Sequence, residues 1–175
     1  MFVFYIPNPL EKWIPLVFQN STIEDRNTWS MHVGHMLRGM TEEQQQDLWS
    51  KWLERYWLNR LKGLPQPIDQ SEVSNMLEWL PKLAAVFPDA VDIAIQMPQG
   101  PSQHLSVIYT LKNSDIVERY QESTVKLVVY LLHQGTPLYA FHGLEDILSK
   151  IDREALEPGL NQQLTEKLEA MGFSQ

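Results

Sequence analysis

Two histidines stand at a spacing that could begin a metal site. His32 and His35 are three residues apart in a stretch with helical spacing, so both imidazoles could share one helix face. A zinc site needs two further ligands and outer hydrogen bonds that orient them. The chain has no cysteine and no HExxH pattern, and no nearby Asp or Glu completes the set. We therefore predict no metal-binding residues and no metal cofactor.

His142, Glu145 and Asp146 could serve acid–base chemistry, because an imidazole and two carboxylates stand close together in sequence. The two carboxylates are equally well suited to the first turn of a short helix over residues 143–151, where negative charge is favourable. No GxSxG motif accompanies them to supply a nucleophile. The structural interpretation is favoured, so we predict no catalytic residues and no enzymatic activity.

The segment Val33–Gly39 contains two glycines but has neither the Walker spacing nor the dinucleotide-binding spacing. Both of those motifs place glycines at fixed positions so that backbone amides can approach a phosphate. No other glycine-rich stretch occurs in the chain. The sequence therefore predicts no cofactor-binding residues and no cofactor.

Five aromatic residues could form a ligand-stacking platform or a protein-binding face. They are Trp49, Trp52, Tyr56, Trp57 and Trp79. The first four recur at helical spacings of three and four residues, which is more typical of a buried helix face than of a ligand site. We predict that this aromatic stripe, continued along the helix by Leu53, Arg60 and Leu61, faces the core.

The composition is that of a folded, acidic protein. The 175 residues carry a net charge of −8, with 14 Lys and Arg against 22 Asp and Glu. Nucleic-acid and membrane-surface binding need clustered positive charge, so we predict neither partner. The absence of cysteine suits a reducing compartment, and the apolar residues 1–7 are too short to span a bilayer. We therefore expect a cytoplasmic protein.

Capping residues and prolines divide the chain into short helices. Thr41 and Gln44 form a capping-box pattern ahead of the aromatic stripe, and Gly63 with Pro65 ends that helix. Asp69 marks the start of the next helix. Further helices are predicted over residues 8–17, 29–40, 81–87, 123–134, 143–151 and 158–171, with Pro88 in the first turn of another.

The middle of the chain supports two interpretations. Val91, Ile93, Ile95 and Met97 alternate with other residues, which is strand periodicity, and a second apolar run follows at residues 105–111. A β-hairpin near residues 90–111 is therefore an alternative. The apolar run up to residue 134 is long for a strand and favours a buried helix. We predict an all-α stack of about seven or eight short helices, with an α+β fold as the alternative.

The most distinctive sequence motif of the chain is a W…RLxGxPxP pattern over residues 49–67. Together with Glu72, Met76–Leu80, Phe87–Val91 and Ser114–Arg119, it resembles an uncharacterised bacterial domain family. That family is found at the C-terminus of large proteins that carry a sirtuin-like domain. The resemblance covers the chain between residues 30 and 150.

The resemblance implies an all-helical, HEAT-like region. The large proteins resemble antiphage defence factors, in which the sirtuin-like part degrades NAD and the helical part senses or restrains. This chain has no Gly-rich NAD-binding segment, so that activity is not carried over to it. The family offers no catalytic residues for this region.

We expect residues 1–175 to form a single helical domain, with an N-terminal segment (1–28), a family-like core (29–151) and a terminal helix (152–175). The expected function is a non-catalytic interaction, sensor or oligomerisation module of a bacterial antiphage defence protein. The alternative is a small hydrolase or ligand-binding enzyme of unknown chemistry. The expected partner is a protein, either a sirtuin-like domain or a phage protein, with a basic face that suits the acidic chain.

Overall fold

The fold is helical throughout the residues that the computed structural model describes, which are 21–64, 67–98, 105–132 and 143–173. Helices hold 72% of these residues, and no strand occurs among them. The described residues form nine helices, seven of which are seven residues or longer, when two segments joined by a π-helical turn are counted as one helix. The all-α prediction is confirmed, whereas the HEAT-like repeat implied by the resemblance stays a prediction.

The helices follow one another with short connections. In chain order they are α1 (Ile23–Leu37), α2 (Glu42–Leu48), α3 (Glu54–Leu61), α4 (Gln70–Leu77), α5 (Phe87–Ala94), α6 (Leu105–Lys112), α7 (Ile116–Arg119), α8 (Gln121–Leu131), α9 (Leu144–Leu148) and α10 (Pro158–Ala170). A π-helical turn (Trp49–Leu53) joins α2 to α3, so these two form one continuous helix. Two short 3-10 turns, Leu80–Lys82 and Ala84–Val86, lie between α4 and α5.

The hairpin alternative near residues 90–111 is wrong, because the described residues of this stretch form α5 and α6. Pro88 lies in the first turn of α5, as predicted. The helix packs against α3, α8 and both 3-10 turns with one broad face, whereas Asp89 and Asp92 on the opposite face are exposed. The alternation extends past the helix, which ends at Ala94, so Ile95 and Met97 belong to the turn that follows and do not continue a strand.

Capping boxes begin the first two helices. At α2, the Thr41 hydroxyl accepts from the Gln44 amide and the Gln44 side chain accepts from the Thr41 amide, which confirms the predicted start. The same arrangement of Thr22 and Asp25 begins α1 at Ile23. The prediction for α1, residues 29–40, therefore began too late because this second capping box was missed.

The long helix contains its π-helical turn where buried side chains recur every fourth residue. Gln45, Trp49, Leu53 and Trp57 are all buried. In a regular α-helix each step of four residues turns ~40° beyond a full circle, so these side chains would wind away from the core. The wider turn, in which the Glu54 amide donates to the Trp49 carbonyl, resets that rotation. All four side chains therefore face inward.

The end of the long helix follows the predicted glycine cap. Gly63 has a φ of 70°, a left-handed conformation that glycine adopts without a steric penalty. The Gly63 amide donates to the Arg60 carbonyl and the Leu64 amide to the Asn59 carbonyl. These bonds satisfy carbonyl groups that the last turn of a helix leaves open, as in a Schellman-type cap.

The core is one cluster of buried side chains that runs from α1 to α10. The predicted buried helix near residues 123–134 is confirmed as α8, which packs against α5, α7 and α10. The predicted terminal helix is confirmed as α10, with Leu160, Leu164 and Leu168 buried. No helix within the described ranges is both long and apolar enough to cross a bilayer. The predicted helix at residues 8–17 lies outside the described residues.

Candidate functional site

Three helices meet around one buried carboxylate. Glu72 on α4 accepts two hydrogen bonds from Arg60 on α3, from Nε to Oε1 at 2.5 Å and from Nη2 to Oε2 at 2.8 Å. Arg26 on α1 donates from Nε to Oε2 at 3.4 Å, and the Tyr56 hydroxyl donates to Oε1 at 3.0 Å. We call these four residues the ionic cluster. It ties α1, α3 and α4 together through a single acceptor group.

The ionic cluster is enclosed, since none of its four residues is more than 3% exposed. Burial and the Glu72 carboxylate raise the pKa of the Tyr56 phenol, so this hydroxyl remains a donor. Arg26 and Arg60 each donate to a backbone carbonyl in addition. Buried ions are tolerated when their hydrogen-bonding groups are satisfied in this way. The cluster therefore holds helices together and offers no access to a substrate.

The sequence interpretation missed this pairing. It placed Arg60 on the aromatic stripe and a helix start at Asp69, but it did not bring Arg60 and Glu72 together. One usable signal existed, because an arginine on an apolar helix face needs a buried acceptor. No comparable signal identifies Arg26, which is 46 residues from Glu72 in sequence.

The aromatic stripe lies in the core beside the ionic cluster. Four of its five members are buried: Trp49, Tyr56, Trp57 and Trp79. The ring centroid of Trp79 lies 6.1 Å from that of Tyr56 and 5.9 Å from that of Trp57. The Trp79 indole also donates to the Ser30 carbonyl at 2.9 Å, which joins the stripe to α1. The prediction that the stripe faces the core is confirmed.

A small cleft lies next to Trp79, between α1 and the chain that runs from α4 into the first 3-10 turn. Its volume is about 40 Å³, several times what one water molecule needs. We call it the basic cleft, and its walls include Gly34, His35, Arg38, Glu78, Trp79 and Lys82. Three of these side chains can carry positive charge and only one is acidic. The cleft is thus a cationic site on an acidic protein.

The Lys82 ammonium is the unusual group of the basic cleft. Burial of this half-buried side chain and repulsion from the Arg38 guanidinium hold the pKa of Lys82 below the ordinary lysine value. The Glu78 carboxylate opposes this only in part, and its Oε1 accepts a hydrogen bond from the Ser106 hydroxyl on α6 at 2.8 Å. In the described part of the chain, no carboxylate oxygen lies within 4.0 Å of Lys82 Nζ.

A larger concavity lies between α8 and α10, with a volume of about 390 Å³. We call it the apolar groove, because most of its surface is hydrocarbon. Val129 and Leu132 line it from the α8 side, and Ala170 and Met171 from the end of α10. Its remaining walls are Gln163, Glu166 and Lys167. The groove is an apolar surface with charged side chains at its edge.

The histidines singled out in the sequence do not form a site among the described residues. His32 and His35 are exposed on α1, and no group of three potential metal ligands occurs in the described ranges. Glu145 and Asp146 lie in the first turn of α9, as their structural interpretation requires. The Asp146 carboxylate is 3.4 Å from the Lys112 ammonium. His142, their proposed acid–base partner, lies outside the described residues.

Comparison with known families identifies a domain family that covers most of the chain. A family model described as a domain of unknown function (DUF4020) matches residues 3–153. The match thus begins nearer the N-terminus than the resemblance deduced from residues 30–150. Searches of curated proteins and of solved structures returned no significant match.

Proposed function

Because the chain belongs to the DUF4020 family, we propose that it is a non-catalytic interaction module of a bacterial antiphage defence system. Its partner is a cytoplasmic sirtuin-like domain, which is either part of the same polypeptide or encoded by a neighbouring gene. The module restrains this domain until a trigger arrives. The resemblance of residues 49–67 and the accompanying motifs to helical regions of sirtuin-like proteins supports this proposal.

The observation that carries the proposal is the apolar groove between α8 and α10. Single apolar side chains are common on protein surfaces, but a concave apolar surface with polar edges is typical of interaction sites. At about 390 Å³ the groove has room for an apolar side chain of a partner. A deep polar pocket with converging acids and bases would favour an enzyme instead.

The charge of the chain indicates which residues of the partner surround the apolar side chain that enters the groove. The net charge of the chain is −8, although Glu166 and Lys167 both lie at the groove itself. A partner surface with basic residues around an apolar centre complements this arrangement. We therefore expect the contacting face of the sirtuin-like domain to be basic at its edge.

Binding of a co-expressed sirtuin-like domain to Ala170→Arg and to wild type tests the groove. Ala170 is exposed at the end of α10, where arginine is compatible with the helix and its dipole. The added side chain would occupy the groove, so we expect at least about a tenfold increase in Kd, as for loss of a central contact. Ala155→Arg, at an exposed position outside the groove, is the matched control.

Two outcomes would count against the proposal. The first is equal affinity of the domain for wild type and Ala170→Arg at several salt concentrations. The second is catalysis by this chain alone: purified protein incubated with NAD should release no nicotinamide, because the sequence has no glycine-rich phosphate-binding loop. Turnover that survives repeated purification would contradict the non-catalytic assignment.

A further inference from the structure

Lys82 differs from three other partly buried lysines in what its charge meets. The Lys112, Lys126 and Lys150 side chains are 16%, 33% and 31% exposed, and each lies within 4 Å of a carboxylate oxygen. Lys82 is half-buried too, yet its described charged neighbours are the repelling Arg38 and the more weakly acting Glu78. A protein with 22 carboxylates leaves this ammonium without an ion pair in the described ranges.

The walls of the basic cleft hold Lys82 in this position. Gly34 has no side chain, and a Cβ atom there would lie 3.3 Å from both Lys82 Nζ and the Trp79 ring. The ammonium therefore lies directly against the backbone of α1. Trp79 is buried and its indole is hydrogen-bonded to α1, so this wall is rigid. Glu78 accepts a hydrogen bond from Ser106, which occupies one of its oxygens.

We propose that the basic cleft binds one small oxyanion, a carboxylate or phosphate group, between the Lys82 ammonium and the Arg38 guanidinium. The volume of about 40 Å³ admits a single group of that size and leaves the rest of a larger molecule outside. His35 and Asn75 stand at the walls as further hydrogen-bonding groups. This site goes beyond the proposed partner contact and uses none of the residues of the apolar groove.

An anion removes the electrostatic cost of this arrangement. Two like charges near each other, one of them half-buried, destabilise the folded chain unless a counter-charge is present. Arginine and lysine together are common ligands of carboxylate and phosphate, and hydrogen bonds between ionised groups are the stronger class. Bound anion would also return the pKa of Lys82 toward its ordinary value, because the charged ammonium becomes favoured.

Calorimetric titration of the full chain with inorganic phosphate and, separately, with acetate tests the proposal at constant ionic strength. Lys82→Met and Arg38→Met remove one cation each, and Arg38 is exposed, so that variant should fold normally. We expect Kd for the bound anion to rise about tenfold or more in each, the loss of one charge-assisted hydrogen bond. Lys62→Met, an exposed lysine outside the cleft, should bind as wild type does.

The two probes identify the chemistry of the ligand. Stronger binding of phosphate indicates a phosphorylated ligand, and stronger binding of acetate indicates a carboxylate ligand; either supports the site. A second measurement follows the Lys82 ammonium by NMR, and its pKa should rise on addition of the anion. Failure of both anions to bind would overturn the proposal, as would wild-type affinity in Lys82→Met.

Discussion

At the scale of single residues, Glu72 has the largest structural role that the described chain assigns to one side chain. Its carboxylate accepts from Arg26, Tyr56 and Arg60, which lie on different turns of α1 and α3. A buried ion pair is a modest source of stability while it is intact, because desolvation offsets much of the attraction. Removal of the Glu72 charge alone costs much more, because two guanidiniums would remain buried without their counter-ion.

Glu72→Gln should therefore destabilise the protein strongly although the change is nearly isosteric. We expect the free energy of unfolding to fall by ~3–5 kcal/mol, the cost of leaving a buried charge uncompensated. Urea denaturation of both proteins measures the change. Glu154→Gln, at an exposed position in the loop before α10, is the control and should stay within ~0.5 kcal/mol of wild type. A similarly small change at Glu72 would show that the ionic cluster contributes little.

At the scale of elements, helix starts follow local side-chain chemistry. Thr41 and Gln44 satisfy two amides that the first turn of α2 would otherwise leave open. Asp69 does the same for α4, where its Oδ1 accepts from the Ser71 and Glu72 amides. Because each cap involves residues within three positions of one another, it forms irrespective of the packing around it.

Thr41→Ala should cost ~0.5–2 kcal/mol of unfolding free energy, as other losses of a threonine N-cap do. Thr28→Ala is the matched control, because Thr28 is exposed in the middle of α1 and alanine is the better helix former there. We expect that control to be neutral or slightly stabilising. Thermal denaturation of wild type and both variants measures the effect. Equal melting temperatures for wild type and Thr41→Ala would mean that the cap has no measurable effect.

The π-helical turn shows what element-level reasoning from sequence misses. Spacings of three and four residues predict a helix with an apolar face, and that prediction is confirmed for α2 and α3. They do not distinguish a regular helix from one with a wider turn at Trp49–Leu53. The wider turn keeps Gln45, Trp49, Leu53 and Trp57 facing one core, and the other members of that core come from distant parts of the chain.

At the scale of the whole molecule, two buried tyrosines link stability to alkaline pH. Burial raises the pKa of Tyr130 to about 12, and burial together with the Glu72 carboxylate raises that of Tyr56. In the unfolded chain a tyrosine ionises near pH ~10. Above that pH the unfolded state releases protons that the folded state retains, so the free energy of unfolding falls as pH rises.

Tyr130→Phe should make this fall shallower, by less than the ~1.4 kcal/mol per pH unit that one titrating group can contribute. The variant also loses the hydrogen bond from the Tyr130 hydroxyl to the Met97 carbonyl, but that loss is the same at every pH below the raised pKa of about 12 that Tyr130 has in the folded protein. Urea denaturation between pH 9 and pH 11.5 gives the two slopes. Tyr109→Phe, in which an exposed phenol is lost, is the control. Parallel slopes for wild type and Tyr130→Phe would contradict the expectation.

The sequence by itself determined the helical class, several helix boundaries and the core-facing side of the aromatic stripe. Each of these depends on residues within a few positions of one another, as with the Thr41 cap, the Gly63 cap and the spacing of Trp49, Leu53 and Trp57. Local rules failed where a short helix runs into an apolar turn, because the alternation of Val91 and Ile93 with Asp92 continues through Ile95 and Met97 and could also be interpreted as a strand.

Only the tertiary structure decided the candidate sites. It placed Arg26 beside Glu72 across 46 residues, set Lys82 against Gly34, and brought the end of α10 to α8 to form the apolar groove. No spacing rule predicts these contacts, because each joins helices whose separation in space is determined by packing of the whole core. Side-chain burial and charge pairing, on which both proposed sites depend, arise only once that packing is complete.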